Sequence, residues 1–337
     1  MTHPLIIGHR GAPGYRPEHT LASYELALAQ GVTAVEPDLV PTKDGVLVLR
    51  HEHDITTTTD VSEHPEFADR RHMAPVGGKL VEGWFTEDFT WEELSGLRCR
   101  ERIPELRPGN TRWDDALPLL RFTDLLSLVD AHNRARGIPV TVVAEIKDDT
   151  YARGLGFDVP ALAVQETRGF PEVPIVWESF EKGALRRVRE AGHPGGLVYL
   201  LERDGVAPDE AREEEPLTYP AEVDAEHIAA IGAEFDGISP DVKMLLRRGK
   251  SRFGTSKGLA ERAHAVGLKV FTWTLRPESA FLPRSLRAET RAEYGQWQLW
   301  YQAVLDLGIE GIFTDTPDLL LGLLPQGPRV PALEAVA

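Results

Sequence analysis

Eight short runs rich in Val, Ile, Leu and Phe recur along the chain, with segments of helical period between them. They are LIIG (5–8), AVEPDL (34–39), TVVAEIK (141–147), PIVWESF (174–180), LVYLLE (197–202), FDGISP (235–240), KVFTWTL (269–275) and GIEGIFTD (308–315). Near-continuous apolar runs alternating with helices are what strands covered on both faces of a parallel sheet require. Eight such units close a (β/α)8 TIM barrel, and 337 residues accommodate that barrel as one domain. The helical segments carry their own signals. TLASYELALAQG has Thr20 as N-cap, Leu21, Tyr24 and Leu28 on one face and Gly31 at its stop. FTDLLSLVDAHNRARG puts Leu125, Leu128, Val129 and His132 on one face. Its Asp124 in the first turn and Arg134 and Arg136 before Gly137 suit the helix dipole.

Two stretches fall outside the repeat. VLVLRHE (46–52) follows AVEPDLVPTKDG too closely for a crossover helix, so the two are expected to pair as an antiparallel hairpin around Lys43, Asp44 and Gly45. A two-residue turn would set His51 opposite Asp38, and a four-residue turn opposite Glu36; a three-residue loop would reverse the faces. Residues 54–112 are long, charged and interrupted by Pro and Gly, and are expected to form an insertion on the barrel rim with one helical piece, TWEELSGLRC. The expected domain therefore spans 1–323, and LPQGPRVPALEAVA (324–337) is expected to be a loosely held tail.

Composition narrows the function. With 37 basic and 53 acidic residues the net charge is -16, which argues against a surface built to hold nucleic acid or anionic lipid. An anionic substrate would need local cations. The single cysteine, Cys99, leaves no internal disulfide and no cysteine metal cluster, and is read as a packed side chain. No window reaches the roughly 18 apolar residues of a membrane span. The start MTHPLIIGHRG has no basic region, apolar core and cleavage site, so the chain as given is expected to be cytoplasmic, or periplasmic or secreted if a leader was trimmed. Nothing in the sequence speaks to oligomeric state.

In such barrels functional groups sit at the C-terminal strand ends. That rule collects His9 and Arg10, Glu36 and Asp38, Glu145 and Lys147, Glu178 and Ser179, Ser239 and Asp241, and Trp273 and Asp315. Glu36 and Asp38, two apart on one strand, face the same way. Alone they serve a solvated or salt-bridged pair as well as a metal site. Glu145 at the same height tips the balance to a cation, and an all-oxygen set suits Mg²⁺ or Ca²⁺ better than zinc. His9 alone reads as a structural histidine, but His51 on the returning hairpin strand gives it a partner. With ordinary pKa values near ~6.5, one imidazole can be neutral and the other protonated. That is a base and an acid. Arg10 offers a fork for a phosphate and Lys147 a point charge.

HRGAPGYRPEHT, VEPDLVPTKDG, RHE and AEIK, followed by WESF, FTWTL and GIFTDTP, resemble the glycerophosphodiester phosphodiesterase family over nearly the whole chain. RHEHDITTTTDVSEHPEFADRR resembles the insertion of its bacterial periplasmic-type branch. The resemblance implies a TIM barrel that hydrolyses deacylated phospholipids to sn-glycerol 3-phosphate and an alcohol. It implies His9 and His51 as the acid/base pair, and Glu36, Asp38 and Glu145 as ligands of one divalent cation. Arg10 and Lys147 would hold the phosphate, and Trp273 would form an apolar wall beside the glycerol. The chain has PEHT where the family often has PENT, and His51-Glu52 where it often has a His-Asp step. His19 is therefore read as a helix-start residue rather than a ligand, and Glu178 in WESF leaves the alcohol side open. Three other readings stand beside this one. They are a barrel of the same fold that ends in a cyclic phosphate, as phospholipase-D-like enzymes do, an aldolase or isomerase forming a Schiff base on Lys147, and a non-catalytic binding protein.

Overall fold

A computed structural model describes residues 3–76, 79–211, 213–247 and 255–325. The expected tail lies outside the described residues from position 326 on. The barrel is closed, and its strands run in sequence order. Leu5–His9 pairs with Ala34–Glu36 on one side and Gly311–Thr314 on the other. Between them the ring passes through Thr141–Ile146, Ile175–Ser179, Gly196–Leu201, Gly237–Pro240 and Lys269–Leu275. The second unit is split, because Pro37 has no N–H to give to a ladder. Ala34–Glu36 and Asp38–Pro41 are separate strands, yet Ala34↔Thr141 and Asp38↔Glu145 keep one register against the third strand.

Period-two alternation sorts every strand into an inner and an outer row. Ile7, Ala34, Val143, Val198, Phe271 and Phe313 fill the barrel interior, with Leu5, Val176 and Trp273 partly buried against them. Gly311 is needed here, since a Cβ on it would run into the Phe271 ring. The outer row packs on the helices, where Tyr24, Ala27, Leu28, Leu125, Leu126, Val129 and Leu185 are buried. Leu21, expected on the packed face of Leu21–Gln30, is instead 40% exposed, while Ser23 and Tyr24 of the same turn are buried.

The hairpin forms, but with a three-residue loop. Leu39↔Leu49, Val40↔Val48 and Pro41↔Leu47 are the pairs, closed by Thr42 N–H to Val46 O at 2.9 Å. Gly45, at φ 77°, takes the left-handed position such a loop needs. Arg50, not His51, therefore lies opposite Asp38, its N–H donating to the Asp38 carbonyl at 3.1 Å. Both expected registers are wrong. The reversed faces give the rim its core: Val40 and Val48 join Ile55, Val61, Trp84, Phe89, Leu94, Leu97, Cys99 and Leu119 in a second apolar cluster. The insertion is thus a small packed layer roofed on the hairpin, with its own antiparallel pair, His72–Val76 and Lys79–Gly83. TWEELSGLRC is helical only over Trp91–Ser95, started by a Thr90/Glu93 capping box. Among the described residues, no helix is long and apolar enough to cross a membrane.

Candidate active site

The inner rows lead upward into chemistry. Above Ile7 comes His9, above Ala34 comes Glu36, above Val143 come Glu145 and Lys147, and above Val176 comes Glu178. In-register neighbours on parallel strands face the same way, and the ladder aligns His9 with Glu36 and Asp38 with Glu145 and then Glu178. Glu36, Asp38 and Glu145 each offer one oxygen within 4.8 Å of the others. All three are buried. Burial, then Asp38 and Glu178, push the Glu36 carboxyl well above the usual range. Burial pushes Glu145 the same way against the pull of Lys147, and burial with Glu145 and Asp38 raises Glu178. Asp38 stays well below the range because Lys147 and Arg10 outweigh its burial. Glu36 Oε1 and Glu178 Oε2 are buried without a hydrogen-bond partner among the described residues. Oxygen donors that crowd and repel one another in this way suit a hard divalent cation.

Arg10 sits where it does because the backbone turns back at the strand end. Its φ is 55°, and its N–H donates both to the Glu36 carbonyl at 3.0 Å and to Glu36 Oε2 at 2.8 Å. Gly11 follows at φ 94°, pressed so close to Ser23 that no side chain fits. The turn folds the guanidinium over the carboxylates, with Nε 3.1 Å from Asp38 and Nη1 donating to Glu18 at 2.9 Å. Nη2 is left for the cavity. Lys147 Nζ lies 2.8 Å from Glu145 and 3.7 Å from Asp38.

Two imidazoles face this floor, each gripped at Nδ1 by a carboxylate. His9 Nδ1 meets Asp315 Oδ1 at 2.7 Å, and His51 Nδ1 meets Glu52 Oε1 at 2.5 Å. His51 reaches the cavity despite its register because the last ladder bond is at Arg50 and the chain bends over residues 51–53. Burial and then Arg10 lower His9 to about 4, while burial, Arg10 and Lys147 lower His51 to about 3. Both imidazoles are thus pushed toward the neutral form, and the one that acts as acid must gain its proton from a change in its surroundings. His9, Arg10, Glu36, His51, Glu145, Lys147 and Glu178 line one cavity of about 540 Å³ at the C-terminal end of the barrel, with Asp38 beside it.

The sequence model of the glycerophosphoryl diester phosphodiesterase family matches residues 9–319. The chain belongs to that family. It is 27% identical to the glycerophosphodiester phosphodiesterase GDPD6 of Arabidopsis thaliana, over 93% of this chain and 84% of the relative. It is also 27% identical to the glycerophosphodiester phosphodiesterase of Haemophilus influenzae, over 93% and 88%. In fold it is similar to an Oleispira antarctica phosphodiesterase solved in complex with its product sn-glycerol-3-phosphate. That match has a TM-score of 0.61 at 17% identity and covers 95% of this chain and 96% of the other.

Within this family member, not every residue at a strand end enters the cavity. Ser179 Oγ donates to the Ile146 carbonyl, and Asp241 caps the turn at Lys243. Ser239 is buried and gives its carbonyl to Trp273 Nε1 at 2.8 Å. That bond, with Phe180 edge-on at 5.6 Å, fixes the Trp273 ring as one wall of the cavity. His19 is neither a simple helix start nor a cavity residue. Fully buried at φ 59°, it sets Nε2 2.8 Å from Asp38 Oδ2 and Nδ1 2.9 Å from the Tyr24 hydroxyl. Sequence reading also passed over Glu18, Glu52 and Arg102, and the cavity-lining Glu202 and Arg276. For Arg102 no periodicity existed to find it. The HRG turn and the Arg10-Glu18 spacing could have pointed to Glu18.

Proposed function

We propose that the protein hydrolyses glycerophosphodiesters to sn-glycerol 3-phosphate and an alcohol, using His9 and His51 as acid and base. One observation carries this reading. Two carboxylate-held imidazoles, two cations and the Glu36 and Glu145 carboxylates line the same cavity, and Asp38 completes the carboxylate cluster beside it. Each Nδ1–H donates to its carboxylate, which leaves each Nε2 lone pair for the cavity. One imidazole takes a proton from the attacking water, and the other returns one to the departing alkoxide. The acid gains its proton as the anionic diester enters, since added negative charge beside a lowered imidazole raises it again. Arg10 Nη2 and Lys147 hold the phosphate, and Trp273 packs beside the glycerol.

Glu36, Asp38 and Glu145 would hold one Mg²⁺ or Ca²⁺, which when bound supplies Lewis-acid stabilisation of phosphoryl charge. The Lys147 ammonium is kept charged by Glu145 and Asp38 against its burial, the opposite of what Schiff-base formation needs. Phosphorus NMR of glycerophosphocholine with either cation tests the reading, with sn-glycerol 3-phosphate and choline expected. A persistent cyclic phosphate would move the protein to the phospholipase-D-like reading. No turnover with either metal would overturn hydrolysis altogether.

A further inference from the structure

The two carboxylates that grip the imidazoles are themselves gripped, and in both cases by an arginine of the rim insertion. Arg102 donates through Nη1 to Glu52 Oε1 at 2.8 Å and through Nη2 to Glu52 Oε2 at 2.7 Å. The same guanidinium reaches Glu18 Oε1 from Nε at 2.8 Å and from Nη2 at 2.6 Å, and Glu18 holds Arg10. Five residues on, Arg107 donates through Nη2 to Asp315 Oδ2 at 2.6 Å. Its Nε donates to the buried Glu278 at 2.6 Å and its Nη1 to the Pro13 carbonyl at 2.9 Å. Two unbroken chains result: Arg102–Glu52–His51 and Arg107–Asp315–His9. Between them lies a second, smaller cavity of about 100 Å³, lined by His9, Arg102, Arg107 and Asp315.

We infer that Arg102 and Arg107 are positioning residues, through which the rim insertion sets the orientation and tautomer of both imidazoles; this rests on the acid/base reading of His9 and His51. A carboxylate fixed on its far side cannot rotate, so the imidazole on its near side keeps Nδ1–H as donor and Nε2 as the free base. The planar fork of arginine suits a two-point grip on one carboxylate, and a lysine in its place could not span Glu18 and Glu52 at once. The insertion is thereby part of the reaction apparatus and not only a cover for the barrel rim.

The test uses the full chain with its divalent cation at saturation. Arg102→Ala is expected to lower kcat about 10- to 100-fold, the scale of a misplaced reacting group, with KM changed less than about 3-fold. Arg107→Ala is expected at the lower end, because Arg276 Nε also reaches Asp315 Oδ2 at 2.7 Å. Free guanidinium should restore part of each loss, and Arg102→Lys should stay slow. The decisive readout needs no turnover. In ¹⁵N NMR of the histidine rings, Arg102→Ala should shift the His51 nitrogens and leave His9 unmoved, and Arg107→Ala the reverse. If Arg107→Ala fails to fold, Arg107→Lys gives the same NMR comparison. Wild-type kcat in the folded variants, or ring signals that move together or not at all, would overturn the inference. An inactive wild-type protein would instead count against the proposed activity, while the NMR comparison would still decide the positioning.

Discussion

The proposed mechanism asks matching work of His9 and His51, which stand in two differently built regions. His9 is the last residue of a barrel strand, and the ladder that pairs it with Glu36 fixes its height and direction. His51 stands on an irregular stretch just after the last ladder bond at Arg50, and its ring is held by Glu52, which is in turn paired with Arg102 of the insertion. A backbone ladder satisfies its own polar groups and aims a side chain by pleat alone. An ion-pair chain must first take charges out of water, and losing one partner strands the other, although solvent softens the cost here because His51, Glu52 and Arg102 are part-exposed. The backbone under His9 is therefore held by the barrel even when its Asp315–Arg107 chain is broken, whereas His51 depends more heavily on its charges being complete.

The largest effect expected comes from the barrel side. Exhaustive chelation should abolish turnover, and restored Mg²⁺ or Ca²⁺ should return it; full activity in verified metal-free protein would remove the carboxylate cluster from the mechanism. The cation should also displace protons, because Glu36 and Glu145 are pushed up in its absence. Apparent affinity should therefore tighten as pH rises, with proton release visible by calorimetry in buffers of different ionisation enthalpy. Next come the imidazoles. His9→Ala and His51→Ala should each cost at least ~10²-fold in kcat, and a tenfold gap between them would show that the two regions do not contribute alike.

Smaller is the effect of loosening the rim alone. Trp84 is buried in the insertion's own cluster, and truncating such a ring costs about 3–5 kcal/mol. Trp84→Ala should release the insertion and lower kcat while far-UV circular dichroism retains the barrel. A barrel that melts with it would show a single cooperative unit. The smallest effect belongs to His53, whose Nδ1 lies 2.9 Å from Glu87, outside the cavity lining. His53→Ala should cost far less activity than His51→Ala, and the reverse ranking would reassign the rim histidine.

The same contrast explains what the sequence could tell. Strand periodicity and the rule of C-terminal ends reach His9, Glu36, Asp38, Glu145, Lys147 and Trp273, since each tops an inner row. The hairpin was misread through its turn. Asp44-Gly45 suits a two-residue turn, but Gly45 as the left-handed member of a three-residue loop shifts every pair by one. His51 reaches the cavity for a reason other than register, because the chain bends off the ladder at that residue. Arg102 and Arg107 lie where no period exists, and only the folded contacts reveal them. His19 shows the same limit: its left-handed backbone, which turns it onto Asp38, leaves no trace in composition.

Arg10, Arg102, Lys147 and Arg276 stand among the carboxylates Glu36, Glu52, Glu145, Asp148, Glu178 and Glu202 in the cavity lining, inside a molecule of net charge -16. A diester anion is thus repelled while far away, and is drawn in only at close range by those four side chains and by the cation that the carboxylates would hold. Salt shortens the reach of the outer field from about 30 Å at 0.01 M to about 8 Å at 0.15 M and screens the enclosed charges far less. Where most enzymes for charged substrates slow down as ionic strength rises, the encounter step here should quicken.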